Sequence, residues 1–417
     1  MDSRNEKKCD LYIAIIGKKH NGNQFIEAVL KNSAKFAIIS NPKFHSKNTI
    51  LVESGNKALA NIALFIRDQI KPKIIAITGS NGKTSTKEVL VSIMNKYLGK
   101  DKLLYTAGNF NNDIGLPLTL LNLKERHSHA VLELGMNHAG EIAKLTKIAK
   151  PDIALITNIG EAHIENFKSK DNIAEAKKEL LNNSDQLETS ILPRDDAYYK
   201  FLAKGKNNLN KITFGFTKEA TINCKVLTRQ KITISTPKEN FDVKINLLGR
   251  HNISNILAAC ACSYALGIPT NIIKEGIEAA KPFPGRLEII DSISEAIIIN
   301  DSYNANPSSM REAVDVLASM KGKKILVIGD MAELGNNTDK YHRELGEYIK
   351  KSQIDFTLAI GSHTKITMQQ LDKNEFWFDS KEALLSKLLK IIDSKSIILV
   401  KGSRFMRMEE LISKIIL

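Results

Sequence analysis

Residues 73–94 place the tightest limit on the fold. The run KIIAIT (73–78) passes without a break into Gly79-Ser80-Asn81-Gly82-Lys83-Thr84, after which Val89, Leu90, Ile93 and Met94 recur at helical spacing. An apolar string of this length bounded by glycine reads as a strand buried on both faces, and strand, glycine loop, helix is the opening of a parallel βαβ unit. The rhythm repeats in HAVLEL (129–134), DIALITNI (152–159), AIIIND (296–301), KILVIGD (324–330), FTLAIG (356–361) and SIILVKG (396–402), with helical stretches between. The chain is therefore α/β, built on parallel sheets.

At 417 residues it has room for two or three domains. Strand-like runs at 11–16, 36–39 and 49–52, closed by Lys71-Pro72-Lys73, predict a small α/β domain over 1–72. A second break falls at Pro282 and Pro284, giving a central domain over 73–282 and an open α/β domain over 283–417. Two alternating segments, KITIS (231–235) and FDVKINL (241–247), predict a hairpin appended to the central sheet, followed by a helix over 252–266.

Composition narrows the setting. No stretch approaches the ~20 apolar residues of a membrane span, and the N-terminus lacks the apolar segment of a secretory signal, so a cytoplasmic protein is expected. Four scattered Cys suggest reduced, mostly buried thiols. The net charge of +14 raises the question of nucleic acid, but 49 of the 60 basic residues are Lys, spread along the chain without interleaved aromatics. That pattern fits solvated surfaces and an anionic substrate better than a nucleic-acid partner.

The glycine loop carries the chemistry. Its glycines stand closer than in G-x-x-x-x-G-K-[ST], yet the context is that of a phosphate site: backbone amides turn inward, the helix N-terminus favours negative charge, Lys83 reaches phosphates, and Thr84 or Ser85 can meet Mg²⁺. Glu133, ending an apolar run, could deliver a metal-binding carboxylate to the loop mouth. His163 follows another buried strand, at the edge where open α/β sheets bind ligands. Lys177, in DNIAEAKKELLNN, shares a helical face with Ile173, Ala176, Leu180 and Leu181, so it must snorkel or lose its charge.

Taken together, TGSNGKTSTKE, GNFNNDIGLPLTLL, ELGMNHAGEI, TNIGEAHIENF, AEAKKE, GRHNISNILAA, GRLE, NDSYNANPSSM, IGDMAELG and VKGSR resemble, in order and spacing, the Mur ligases of peptidoglycan synthesis. The resemblance implies three domains: one for the UDP end of the substrate, a P-loop ATPase, and a C-terminal Rossmann-like domain. It implies an ATP-dependent amide ligase acting through an acyl phosphate. NDSYNANPSSM and IGDMAELG point to the branch that joins UDP-N-acetylmuramoyl-tripeptide to D-alanyl-D-alanine, with a monomer expected.

Carried over by position, Gly79, Ser80, Asn81, Gly82, Lys83, Thr84 and Ser85 would wrap the ATP phosphates. Thr84 and Glu133 would hold one Mg²⁺, His163 would be a ligand of a second, and Lys177 stands where the family carries a carbamylated, metal-coordinating Lys. Asn255 would contact adenine, and Arg286 and Asp301 would close on ATP. Ser3 and Arg4 resemble a UDP contact, and Asn109, Asn111 and Asn112 the muramoyl-peptide contact. Tyr303, Asn304, Asn306, Lys401 and Arg404 are expected near the dipeptide or acyl phosphate, or else as turn formers. The DSR motif begins at residue 2, where relatives carry a strand and turn ahead of it, so this domain is expected to be trimmed or to start upstream. The rival readings are folylpolyglutamate synthase, a nucleic-acid-dependent ATPase, and an inactive scaffold of the same fold.

Overall fold

The computed structural model describes residues 8–17, 20–205, 209–291, 295–372 and 375–416. Its centre is a six-stranded, wholly parallel sheet in the order Leu103–Tyr105, His129–Glu133, Lys73–Thr78, Ile153–Ile156, Thr189–Pro193, Asn210–Phe214. The chain leaves Lys73–Thr78 for one edge, returns through His129–Glu133, and then crosses to Ile153–Ile156 on the other side. That reversal opens a crevice at the C-terminal ends of these three strands, the usual ligand position in such sheets. Register fixes its walls, since Ile77 pairs with Glu133 and Thr78 with Ile156.

Both faces of this sheet are covered, which explains the unbroken apolar strings. The helix Lys83–Leu98 lies on one face and packs against Arg250–Ala265 and Thr270–Ala279. Ile75, Ile77, Leu90, Ile93 and Ile256 share that core. The opposite face buries Ala76, Leu132 and Ile156 under Glu141–Ala149 and Lys170–Asn182.

One expectation changes. KITIS and FDVKINL do pair as antiparallel strands, Lys231–Ser235 with Asn240–Lys244, but Asn223–Thr228 joins them to make a separate three-stranded sheet. Among the described residues, an isolated bridge between Phe214 and Ile222 links it to the parallel sheet. Ile232, Ile234 and Val243 still face the core on the side of the helix Thr270–Ala279, because their alternation fixes the buried side whatever the third strand does.

A second six-stranded sheet follows, in the order Glu288–Asp291, Ile297–Asp301, Ser396–Lys401, Lys323–Gly329, Phe356–Ile360, Glu375–Phe378. It is parallel except for its first strand. Asp301 and Lys401 end neighbouring strands in register and so face the central crevice together. At the other end of the chain, Cys9–Ile13, Ala34–Ile39 and Thr49–Leu51 form a small parallel sheet. Cys260 and Cys262 are buried, Cys224 is half-buried and Cys9 exposed, all as free thiols. No helix among the described residues is long and apolar enough to cross a membrane.

Candidate active site

The loop after Lys73–Thr78 is held open by close contacts. Gly79 and Gly82 take φ of 151° and 79°. A Cβ at Gly79 would lie 1.8 Å from Thr157 Oγ1, and one at Gly82 would lie 2.2 Å from Asn255 Oδ1, so both positions exclude any side chain. The next strand's loop clamps this one: Asn81 N donates to Asn158 Oδ1 at 2.9 Å, Thr157 Oγ1 donates to the Asn81 carbonyl at 2.6 Å, and Gly160 N donates to Ser80 Oγ at 2.8 Å. The result is a rigid backbone cradle at a helix N-terminus, suited to phosphate.

At its mouth, Glu133 is 2% exposed. Thr84 Oγ1 donates to its Oε2 at 3.0 Å and Asn111 Nδ2 to its Oε1 at 2.9 Å. Lys83 Nζ donates to the Gly79 carbonyl at 2.8 Å. Burial lowers the Lys83 pKa and Arg286 adds to the effect, while Glu133 opposes it. Asn255 is buried, donating to Asn252 Oδ1 at 2.9 Å and accepting from Thr86 Oγ1 at 3.3 Å.

Lys177 is 3% exposed on the inward face of Lys170–Asn182, among Ile173, Ala174, Ala176, Leu180 and Leu181. Its amine has no hydrogen bond or ion pair among the described residues. Burial, reinforced by the charge of Lys83, pushes its pKa well below 10.5. The adjacent Lys178 turns away, donating to the Phe201 carbonyl at 2.8 Å over that residue's ring.

The C-terminal sheet closes the crevice. Arg286 Nη2 reaches Thr84 Oγ1 at 3.4 Å, and its guanidinium stacks 4.3 Å from the centre of the Tyr303 ring. Asp301 accepts from Lys401 Nζ at 2.7 Å and from Leu287 N at 3.2 Å. Asn306 Nδ2 donates to Asn81 Oδ1 at 2.7 Å, and Asn81 Nδ2 donates to Ser308 Oγ at 2.8 Å, joining the phosphate loop to the start of the helix Pro307–Ala318. Beside them, His163 Nδ1 lies 2.6 Å from Glu333 Oε2.

These groups enclose one cavity of about 790 Å³, lined by Ser80 to Ser85, Asn109, Asn111, Asn112, Glu133, His163, Lys177, Asn255, Arg286, Asp301, Tyr303, Asn304, Asn306 and Lys401. Several expected substrate contacts turn out to be occupied. Asn112 caps Gly115 N at 2.8 Å, Asn304 accepts from Ala305 N at 2.9 Å, and Asn306 caps its helix as well as binding Asn81. Arg404 is outside the lining and pairs with Glu409 at 2.8 Å. Ser3 and Arg4 lie outside the described residues. Sequence reasoning missed Glu333, although it lies within the IGDMAELG motif, and Ser308, whose role depends on a contact 227 residues away.

Comparison with known proteins agrees with this geometry. Residues 77–263 match the Mur ligase middle domain and residues 285–404 the Mur ligase, glutamate ligase domain. A protein of Buchnera aphidicola subsp. Baizongia pistaciae named UDP-N-acetylmuramoyl-tripeptide--D-alanyl-D-alanine ligase is 39% identical, over 98% of this chain and 90% of its own. The chain belongs to the Mur ligase family. The crystal structure of MurF from Acinetobacter baumannii superposes on this Mur ligase with a TM-score of 0.94 at 33% identity, covering 100% of this chain and 92% of the other. The MurF ligase of Thermotoga maritima in complex with ADP gives a TM-score of 0.90 at 28% identity, covering 99% and 95%. The three-domain Mur ligase architecture is thereby that of this chain.

Proposed function

We propose that this Mur ligase joins D-alanyl-D-alanine to UDP-N-acetylmuramoyl-tripeptide with ATP, releasing UDP-N-acetylmuramoyl-pentapeptide, ADP and phosphate for peptidoglycan synthesis. The observation that carries the reading is likeness over almost the whole chain to relatives bearing that name. It acts in the cytoplasm as a monomer, with the UDP-binding domain over 1–72, the ATPase domain over 73–282 and the Rossmann-like domain over 283–417.

In the first step a terminal carboxylate oxygen of the tripeptide bonds to the γ-phosphorus as the bond to ADP breaks. The dipeptide amine then attacks the acyl carbon, phosphate leaves with the electron pair, and the amine loses a proton. The amides of Gly79 to Ser85 and the Lys83 ammonium hold the phosphates, while Asn255 meets the adenine. Arg286, held by the Tyr303 ring, supplies positive charge where the phosphoryl group carries negative charge. Asp301, paired with Lys401, fixes the strand end beside it. Asn111 holds Glu133, and Asn109 and Asn112 border the muramoyl-peptide.

The residues fit divalent cations. Thr84 and Glu133 bring hard oxygen donors together at the loop mouth, and a carboxylate buried to 2% exposure calls for a cationic partner. His163 and Lys177 border the same cavity and form the second site in this reading. Lys177, whose buried amine is held well below its ordinary pKa and has no hydrogen bond or ion pair among the described residues, is the amine that CO₂ would convert to a carbamate, adding an oxygen donor. The ions, when bound, neutralise phosphate charge and polarise the transferring group.

A coupled phosphate-release assay tests the reaction. Phosphate should appear only with ATP, D-alanyl-D-alanine and a UDP-tripeptide ending in meso-diaminopimelate or Lys all present. Turnover with a folate and glutamate in their place would overturn the reading in favour of the folate ligases. Lys83→Ala should abolish acyl-phosphate formation.

A further inference from the structure

Asn81 belongs to the phosphate loop, yet its side chain is turned to the other domain. Its Oδ1 accepts from Asn306 Nδ2 at 2.7 Å and its Nδ2 donates to Ser308 Oγ at 2.8 Å. Ser308 Oγ in turn donates to Asn306 Oδ1 at 3.0 Å, which closes the three side chains into a ring where each gives one hydrogen bond to the next. Hydrogen bonds running head to tail polarise one another, so such a ring holds better than three separate contacts.

The helix Pro307–Ala318 dictates how the ring is wired. Asn306 Oδ1 caps it by accepting from Ser309 N at 2.9 Å, and Ser309 Oγ accepts from Asn306 N at 3.0 Å. With its oxygen committed to the helix, Asn306 presents Nδ2 to Asn81, which must answer with Oδ1 and turn its own Nδ2 to Ser308. The loop side is equally fixed, since Thr157 Oγ1 holds the Asn81 carbonyl, and a Cβ on Gly160 would lie 3.4 Å from Ser308 Oγ and 3.8 Å from Asn81 Nδ2.

The segment that carries Asn306 also carries the supports of Arg286. Tyr303 N donates to the Gly285 carbonyl at 3.1 Å, its ring stacks on the Arg286 guanidinium, and Asp301 Oδ1 accepts from Leu287 N. Lys401 Nζ ties Asp301 to the Asn304 carbonyl at 2.9 Å. Arg286 itself reaches the loop only at 3.4 Å from Thr84 Oγ1, near the limit of a hydrogen bond, whereas the ring bonds are 2.7 to 3.0 Å. The ring therefore does the docking, and Arg286 is carried with it.

We propose that Asn81, Asn306 and Ser308 are positioning residues whose ring docks the C-terminal domain on the phosphate loop and so sets Arg286 beside the transferring phosphoryl group, while the Asn81 side chain itself binds no nucleotide. The inference rests on the ligase reading above. His163 and Glu333, paired at 2.6 Å, cross the same seam, so loss of the ring loosens docking without abolishing it.

A double-mutant cycle across the seam tests this. Ser308→Ala removes two of the three ring bonds and leaves the Asn306 cap in place, and Asn81→Ala removes two while keeping the backbone amides of the loop. Each should lower kcat for phosphate release about tenfold and leave the dissociation constant of ADP, measured by calorimetry, unchanged. The double variant should be no slower than the slower single one, because a ring broken once is already open. Losses that multiply in the double variant would make the two residues independent and overturn the ring. Weaker ADP binding in Asn81→Ala would make that side chain a nucleotide ligand, and full kcat in Ser308→Ala would show that docking does not need the ring; either result overturns the inference. A wild-type chain that releases no phosphate with ATP, UDP-tripeptide and D-alanyl-D-alanine would instead overturn the ligase reading. The retained ADP site, together with thermal melts of each variant, separates lost docking from lost folding.

Discussion

Lys87 and Lys177 are both buried, at 0% and 3% exposure, yet their surroundings are opposite. Lys87, on the helix of the phosphate loop, donates to the Thr106 carbonyl at 2.7 Å and pairs with Glu88 at 2.8 Å, with the Tyr105 and Phe283 rings each 5.9 Å away. Lys177 has aliphatic neighbours and the charge of Lys83 for company. Burial alone therefore does not make an amine reactive. What distinguishes Lys177 is burial with no partner among the described residues, which favours the neutral, nucleophilic form.

The sharpest way to break this contrast is Lys177→Ala. Phosphate release should fall on the order of a thousandfold, the scale of losing a principal electrostatic group, and short carboxylic acids should restore part of it. Full activity in the variant would end the assignment. Lys87→Met should act on the fold instead, lowering stability by about 1 to 3 kcal/mol in urea unfolding because the Thr106 carbonyl and the Glu88 carboxylate lose their donor. A Lys87 variant of normal stability and no turnover would erase the distinction between the two lysines.

A pH series sharpens it further. The folded pKa of Lys177 is lowered, so between that value and 10.5 the unfolded chain binds more protons than the folded one. Stability should then rise with pH through that window in CO₂-free buffer, and Lys177→Met should remove that part of the slope. An identical slope in the two proteins would show that Lys177 stays charged. The smallest effect is expected from Lys178→Ala, whose half-buried side chain holds one carbonyl: a change of about 0.5 kcal/mol in thermal unfolding and unchanged turnover.

What could be read in the sequence follows from range of interaction. The parallel sheets were legible because two-sided burial writes itself into continuous apolar strings, and Lys177 because a helix repeats its buried face every three or four residues. The strand Asn223–Thr228 escaped because all its side chains are exposed or half-buried, which leaves no alternation to detect. Asn304 and Asn112 were legible only as polar loop residues, and their caps on neighbouring amides emerge from the folded turn. Glu333, Asn306 and Ser308 act across the seam between domains, and no local pattern encodes a partner more than 160 residues away.

The reach of Arg286 to Thr84 also sets an order in time. The two residues are 202 positions apart, so at roughly 5 to 20 residues per second the ribosome needs about 10 to 40 seconds to add the arginine after the threonine. Throughout that interval the growing chain carries a phosphate loop without the charge that completes it. The domain made last is thus the one that completes the phosphate site of the central domain.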